Sequence, residues 1–77
     1  MNALRHIREN VLGLSQAEMA VVAEVSQGTV SKWETEKLSP DRSEMERIRS
    51  AALARGVPWD DRWFFEIPEA IVDGARA

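Results

Sequence analysis

Two stretches of sequence decide the fold, LSQAEMA at residues 14–20 and VSQGTVSKWE at residues 25–34. In the first stretch, Ser15 and Glu18 have the spacing of a capping box, in which each side chain accepts a hydrogen bond from the other residue's backbone amide. In the second stretch, Ser26 is a favourable N-cap for a further helix. Together they predict two short helices separated only by a tight turn.

These two helices must be locked together, because isolated helices of about eight residues are not stable in water. Ala20 is small enough to lie where the helices cross at a steep angle. The other inward positions carry apolar side chains: Met19, Ala23, Val25, Val30 and Trp33. The outer face of the second helix is then left free, and it is short, polar and able to form hydrogen bonds. We expect the helical pair to occupy residues 16–35.

Further signals place three more helices around this pair. Apolar side chains recur at helical spacing in residues 3–11 and predict a first helix, which we expect to stop at Gly13. A fourth helix starts at a second capping box, which opens with Ser43, and ends at Gly56, while a short fifth helix has Pro58 in its first turn. The fourth helix is expected to turn four residues inward: Met45, Ile48, Ala52 and Leu53. Strand signals are absent, so the predicted class is all-α with five helices.

Composition restricts the class of protein. The chain has 77 residues, 44% hydrophobic and 30% charged, which is the balance of one soluble globular domain. It has no cysteine, which excludes a disulfide framework and a thiolate metal site. The charged N-terminus argues against a signal peptide, and no apolar run approaches the roughly 20 residues that span a bilayer. We expect a cytoplasmic protein with one domain, residues 1–68, and a tail, residues 69–77.

The charge balance limits how the chain could hold a nucleic acid. Its 10 Lys and Arg and 13 Asp and Glu give a formal net charge of −3, whereas proteins that bind phosphates are usually basic. The acidic excess lies in residues 56–77, while residues 26–55 contain six Lys and Arg and five Asp and Glu. The middle of the chain can therefore still present a local basic face.

The two opening stretches resemble the helix-turn-helix of the phage-repressor and Cro proteins, the XRE family of bacterial DNA-binding proteins. The resemblance covers about residues 3–57 and includes an arginine-bearing first helix and the sequence LARG at residues 53–56. It implies a five-helix lambda-repressor-like fold and a transcriptional regulator, a repressor, that binds double-stranded DNA as a homodimer. Each third helix would enter a major groove, with half-sites about 34 Å apart.

The resemblance also implies site residues. The base-reading positions are Gln27, Gly28, Ser31 and Lys32, and the phosphate-contacting positions are Ser15, Gln16, Thr29, Lys37 and Arg42. A glutamine amide can donate to and accept from adenine at once, and a lysine can donate to guanine O6 and N7. Gly28 has no side chain, so it implies a close backbone approach or space for a thymine methyl group. Gln16 would also brace the third helix.

Three further residues have structural interpretations. Glu24 occupies the turn position at which the family usually has glycine, because φ is positive there, and a non-glycine residue costs about 1 kcal/mol. Glu34 is expected to pair with Arg8 or Arg5 rather than to contact DNA. His6 has no second ligand type around it, so we expect it at the surface or its boundary and not in a metal site.

Four aromatic residues cluster towards the C-terminal end, Trp59, Trp63, Phe64 and Phe65, with Ile67 beside them. They could close the open end of the helical bundle, or they could form the apolar surface that a dimer shares. One short helix cannot turn all of them inward. We therefore expect Trp59 and Trp63 to be mainly buried, and some of Phe64, Phe65 and Ile67 to lie at a subunit contact.

Two other function classes compete with this interpretation. In the first, the same fold is a protein-interaction or antitoxin-like module whose acidic residues face a basic partner: Asp60, Asp61, Glu66, Glu69 and Asp73. Salt separates the two, since DNA binding weakens steeply as ions rise. The second class is an enzyme, which the sequence argues against because it shows no nucleophile–base pair, phosphate-cradling loop or ligand cluster. No cofactor or metal is predicted.

Overall fold

The computed structural model describes residues 2–66, and this part of the chain is all-α. Helix α1 (Ala3–His6) continues without a break as a π-helical segment (Ile7–Leu12) and is followed by α2 (Gln16–Ala23), α3 (Gln27–Glu34) and α4 (Arg42–Ala54). A 3-10 turn (Asp61–Phe64) follows α4. The predicted all-α class is confirmed for these residues. The predicted tail, residues 69–77, lies outside the described residues.

The fifth element is shorter than the sequence predicted. Pro58 does not lie in its first turn, because Asp60 still has an extended backbone with φ of −138° and ψ of 120°. The Asp60 carboxylate then accepts a hydrogen bond from the backbone N–H of Arg62 at 2.9 Å. This cap fixes the start of the element at Asp61, so that only one 3-10 turn forms before Phe65.

Side-chain caps fix where the other helices begin. Ser15 and Glu18 form the predicted capping box at the start of α2, with bonds of 3.1 and 2.8 Å. The prediction that Ser43 caps α4 is wrong. Asp41 is the cap, and its carboxylate and that of Glu44 each accept from the other's backbone N–H at 2.8 Å. Aspartate caps as well as serine does, and its charge also favours a helix N-terminus, so Asp41 prevails.

Each of the four helices in residues 2–66 is followed within two residues by a residue in the left-handed conformation, with φ between 60° and 71°: Gly13, Glu24, Glu36 and Gly56. At the end of α2, the N–H of Val25 donates to the carbonyl of Ala20 (3.0 Å), and the N–H of Glu24 donates to that of Val21 (3.2 Å). These are the two bonds of a Schellman motif. The expected positive φ at Glu24 is confirmed, and Glu36 is a second glutamate in the same conformation.

The core lies between α1, α2, α3 and the 3-10 turn, with α4 packed against α2. The predicted inward residues of the helical pair are buried here except Val25, which is half-buried against the core. The buried core consists of Leu4, Ile7, Met19, Ala20, Ala23, Val30, Trp33, Ile48 and Phe64. Leu53 was predicted to face inward, but it is 58% exposed. The buried face of α4 is set by Ile48 and Ala52, four residues apart, and Leu53 is rotated about 100° from Ala52.

His6 is buried, and the prediction that it lies at the surface or its boundary is wrong. His6 is only 4% exposed, and the ring of Trp63 contacts the imidazole ring edge-on, with the two ring centroids 6.0 Å apart. The side-chain amide of Asn10 donates to His6 Nδ1 at 3.1 Å. Burial lowers the pKa of His6 below its ordinary value. Helical periodicity could not reveal this burial, because the covering ring comes from the far end of the chain.

The aromatic cluster is divided between core and surface differently from the prediction. Phe64 is buried, whereas Trp59 and Trp63 are only half-buried and contact each other edge-on at 5.5 Å. Phe65 is 78% exposed. The short 3-10 turn explains the difference, because it can direct one large ring into the core and leaves its neighbour outside. Ile67 lies outside the described residues.

Candidate nucleic-acid interface

Helix α3 is held with one face buried against α1 and α2. Val30 and Trp33, which lie three residues apart, are 1% and 2% exposed, and they belong to the same apolar core as Met19, Ala20 and Ala23. The prediction that both are core residues is confirmed. Because this face of α3 is fixed by packing, the opposite face is free and has a defined orientation.

The four predicted base-reading residues lie together on that opposite face. Gln27, Gly28 and Lys32 are exposed, and Ser31 is half-buried. Their positions, i, i+1, i+4 and i+5, adjoin one another on a helix. A Cβ added to Gly28 would meet only the Ser26 hydroxyl oxygen, at 3.7 Å, so this part of the face is open. The structure therefore brings the predicted residues together, and their contacts with bases stay predictions.

The N-terminus of α3 is organised by two hydroxyl groups. Ser26 Oγ accepts from the backbone N–H of Thr29 at 3.1 Å and lies 3.0 Å from Thr29 Oγ1, so that the two hydroxyls share a hydrogen bond. Thr29 is half-buried. Its predicted phosphate contact would have to form with a hydroxyl whose orientation Ser26 already restricts. This arrangement fixes the first turn of α3, at which Gln27 and Gly28 lie.

A buried ion pair joins α3 to the first helix. Arg8 Nε donates to Glu34 Oε2 at 2.5 Å and Nη2 donates to Glu34 Oε1 at 3.1 Å, and the two side chains are only 10% and 8% exposed. Arg8 Nη1 also donates to the carbonyl of Leu14 at 2.9 Å. The expected pairing of Glu34 is confirmed with Arg8, whereas Arg5 pairs with Glu9.

This pair removes a carboxylate from the exposed surface at the end of α3. Burial alone would raise the pKa of Glu34, but the hydrogen bonds from Arg8 and Gln16 and the charge of Arg8 outweigh it and lower the pKa below its ordinary value. Glu34 is therefore ionised and its charge is neutralised by a bidentate guanidinium. An unpaired carboxylate here would repel a phosphate backbone.

Gln16 bridges α2 and α3. Its side-chain amide donates to Glu34 Oε1 at 3.3 Å, and the residue is half-buried. The predicted bracing of the third helix by Gln16 is present in this contact. Its predicted phosphate contact is untested, as is that of Ser15, whose exposed side chain already accepts from the backbone N–H of Glu18.

The two basic residues predicted to contact phosphates differ in their surroundings. Lys37 is exposed just after α3, and its backbone N–H donates to the carbonyl of Lys32 at 2.9 Å, which fixes the start of the loop. Arg42 is the first residue of α4, and its side chain, 91% exposed, lies 3.1 Å from Glu46. Such an exposed pair is weak and a phosphate could displace it.

Two polar residues that the sequence did not single out hold α3 and its turn in place. The side-chain amide of Asn2 donates to the carbonyl of Trp33 at 2.8 Å, and its oxygen caps α1 by accepting from the N–H of Arg5 at 2.9 Å. Arg47 Nε donates to the carbonyl of Ala23 at 2.7 Å. Asparagine before the first apolar helix residue is an N-cap signal, but contacts so distant along the chain leave no sequence pattern.

Residues 2–66 contain neither a cluster of metal-ligating side chains nor a membrane-spanning helix. No group of three or more His, Asp or Glu side chains in this range could hold a metal ion, and none of its helices has the length and apolar character needed to span a membrane. The acidic surface is partly neutralised within the chain: Arg62 binds Asp60 at 2.6 Å and Arg49 lies 3.6 Å from Asp61. Glu69 and Asp73 lie outside the described residues.

Comparison with known proteins agrees with this geometry. A family model described as a helix-turn-helix matches residues 4–51, which run from α1 into α4 and make up more than half of the chain. No curated protein and no solved structure matches the chain. The helix-turn-helix predicted from residues 14–34 is thereby confirmed.

Proposed function

The chain belongs to the helix-turn-helix family, whose domain binds DNA and is not enzymatic, and on that premise we propose that it is a sequence-specific transcriptional regulator. Helix α3 enters the major groove of double-stranded DNA and reads base edges. Two copies of the chain bind two half-sites about one helical turn, roughly 34 Å, apart. Occupancy of such a site in a promoter excludes other proteins from it, and the regulator acts as a repressor.

The observation that carries this proposal is the exposed polar face of α3, which is backed by a buried and cross-braced inner face. Gln27 and Lys32 are exposed, and their side chains can form the hydrogen bonds that distinguish adenine and guanine in the major groove. Gly28 between them allows the backbone to approach closely. Base reading requires donors and acceptors at fixed positions, and the contacts of Trp33 and Glu34 fix this helix.

Phosphate contacts come from residues in α3 and around it. The role of these residues is to orient the domain on the duplex rather than to select a sequence. The set consists of Ser15, Gln16, Thr29, Lys37 and Arg42. The net charge of −3 means that the attraction to DNA is local to this surface. Each phosphate that the two copies neutralise releases counterions, so the affinity falls steeply with salt and the decline is linear on a log–log scale.

Selection of bound duplexes from a random pool at moderate salt tests the proposal. The expected product is an enriched palindromic site with half-site centres 10–10.5 base pairs apart. A pool that stays random after several rounds, with retained binding that vanishes at high salt, contradicts sequence-specific reading. A chain that binds no duplex at low salt contradicts the proposal as a whole.

A further inference from the structure

A hollow lies between the N-terminus of α1, the loop after α3 and the 3-10 turn. Its volume is about 290 Å³, which suits a small ligand, since sites for small molecules start at roughly 300 Å³. Most of its walls are apolar: Leu4, Trp33, Leu38, Met45, Phe64 and Phe65. Among the lining residues within 2–66, Glu36 alone carries a charge. We call this cavity the Glu36 hollow, and it includes none of the α3 residues proposed to read bases.

Hydrogen bonds hold the walls of the Glu36 hollow in place. The side-chain amide of Asn2 donates to the carbonyl of Trp33 at 2.8 Å and joins the start of α1 to the end of α3. The turn after α3 is closed by the N–H of Lys37, which donates to the carbonyl of Lys32 at 2.9 Å. Glu36 lies inside this turn with φ of 62°. The hollow is therefore already formed, and a ligand would not have to order the loop in order to bind.

The charge of the Glu36 hollow is not neutralised within the part of the chain described. Glu36 is exposed, and none of the ion pairs in residues 2–66 includes it. Glu24, the other glutamate with a left-handed backbone, has Arg47 at 4.0 Å. An anion in the hollow would be repelled by Glu36, and a neutral apolar molecule would cover the carboxylate without pairing it, which is unfavourable. A cation with an apolar body suits both features of the hollow.

We propose that the Glu36 hollow is a binding site for a small organic ammonium ion with an apolar or aromatic body. The ammonium group lies beside the Glu36 carboxylate. The body lies against Leu38 and Phe65, which are 49% and 78% exposed in the free chain, so that binding removes apolar surface from water. The site lies at the end of α3 opposite to Gln27. Ligand binding at this site does not depend on the proposed DNA-reading function.

Titration of the isotope-labelled full chain with 2-phenylethylamine at pH 7, followed by NMR without DNA, tests the site. The backbone amide signals of Leu38 and Ser39 are expected to shift to saturation. A ligand of this size should have a dissociation constant of about 0.1–1 mM. 2-Phenylethanol, which lacks the charge, should bind about 2–5-fold more weakly, the contribution of an exposed ion pair. 3-Phenylpropionate, an anion, should bind more weakly than the alcohol.

Three variants separate the charge from the shape of the hollow. Glu36→Gln keeps the length of the side chain and should lower the affinity for the amine to that for the alcohol. Ser39, an exposed wall residue, offers the opposite change, since Ser39→Asp adds a second carboxylate and should tighten amine binding about 2–5-fold. Glu24→Gln is the matched control, because Glu24 has the same backbone conformation in a different turn. It should leave the dissociation constant unchanged.

Two results would overturn the proposal. The first is the absence of saturable shifts with about 10 mM amine, well above the expected dissociation constant, as would occur if residues outside 2–66 or a second copy of the chain fill the hollow. The second is a Glu36→Gln variant that still prefers the amine to the alcohol, with a spectrum showing that it is folded. Because no DNA is present, either result would leave the DNA-reading function intact.

Discussion

Replacing Arg8 with methionine tests how α3 is held. The substitution keeps the length of the apolar stem but leaves the Glu34 carboxylate, whose side chain is 8% exposed, with only the 3.3 Å hydrogen bond from Gln16. Removing one partner of a buried pair costs about 3–5 kcal/mol, and we expect the lower end, about 3 kcal/mol, because both side chains keep some contact with water. The free energy of unfolding of a domain of this length is about 4–11 kcal/mol, so the variant should lose a large part of its stability.

Urea unfolding at pH 7 measures this loss, with tryptophan fluorescence and circular dichroism as independent probes. The double variant Arg8→Met with Glu34→Met is the control, since it removes both charges and leaves none unpaired. It should be more stable than Arg8→Met alone and fall within about 2 kcal/mol of the wild type. A loss below about 1 kcal/mol for Arg8→Met, or a double variant less stable than the single one, would refute the view that this pair locks α3.

Two other predictions concern the backbone and the buried histidine. Glu24→Gly should raise the free energy of unfolding by about 0.5–1 kcal/mol, because glycine relieves the left-handed strain (φ 60°) at a smaller entropic cost. As the control, Glu46→Gly in α4 should lower the free energy of unfolding by about 1 kcal/mol. If urea unfolding shows the same change in free energy for both variants, Glu24 is not strained. Because burial lowers the pKa of His6, its neutral form stabilises the fold fully above pH 6.5, and this contribution declines as the pH falls through the folded-state pKa. The lowered pKa of Glu34 acts in a separate window, below pH 4.5. Urea unfolding from pH 7.5 to 5 should therefore show a decline that is absent in His6→Gln, and parallel curves for the two proteins would contradict it.

Local signals in the sequence were sufficient for the helices that position the site. Ser15, Glu18 and Ser26 cap α2 and α3 as predicted, because capping depends on residue type and on a spacing of three residues. The error at Ser43 has the same origin. Asp41 and Glu44 form an alternative capping box that begins two residues before Ser43. Local spacing alone did not show which of these two boxes caps α4.

Tertiary contacts account for what the sequence did not predict. His6 is buried by Trp63, and Asn2 binds the carbonyl of Trp33, 31 residues away. Neither contact follows from helical periodicity, because each depends on how the ends of the chain pack against the helical pair. The exposed face of α3 was predictable for the opposite reason, since Val30 and Trp33 fix which side of this short helix is buried.

The central claim is that α3 reads base pairs, and the affinity of Gln27→Ala for two duplexes tests it most directly. One duplex carries the site enriched from the random pool, and the other has a scrambled sequence of the same length. We predict a loss of about 1–3 kcal/mol on the enriched site and little change on the scrambled duplex. Lys37→Ala, as the control, should weaken both equally and reduce the salt slope by about one. Equal losses by Gln27→Ala on the two duplexes, or none on either, would contradict the claim.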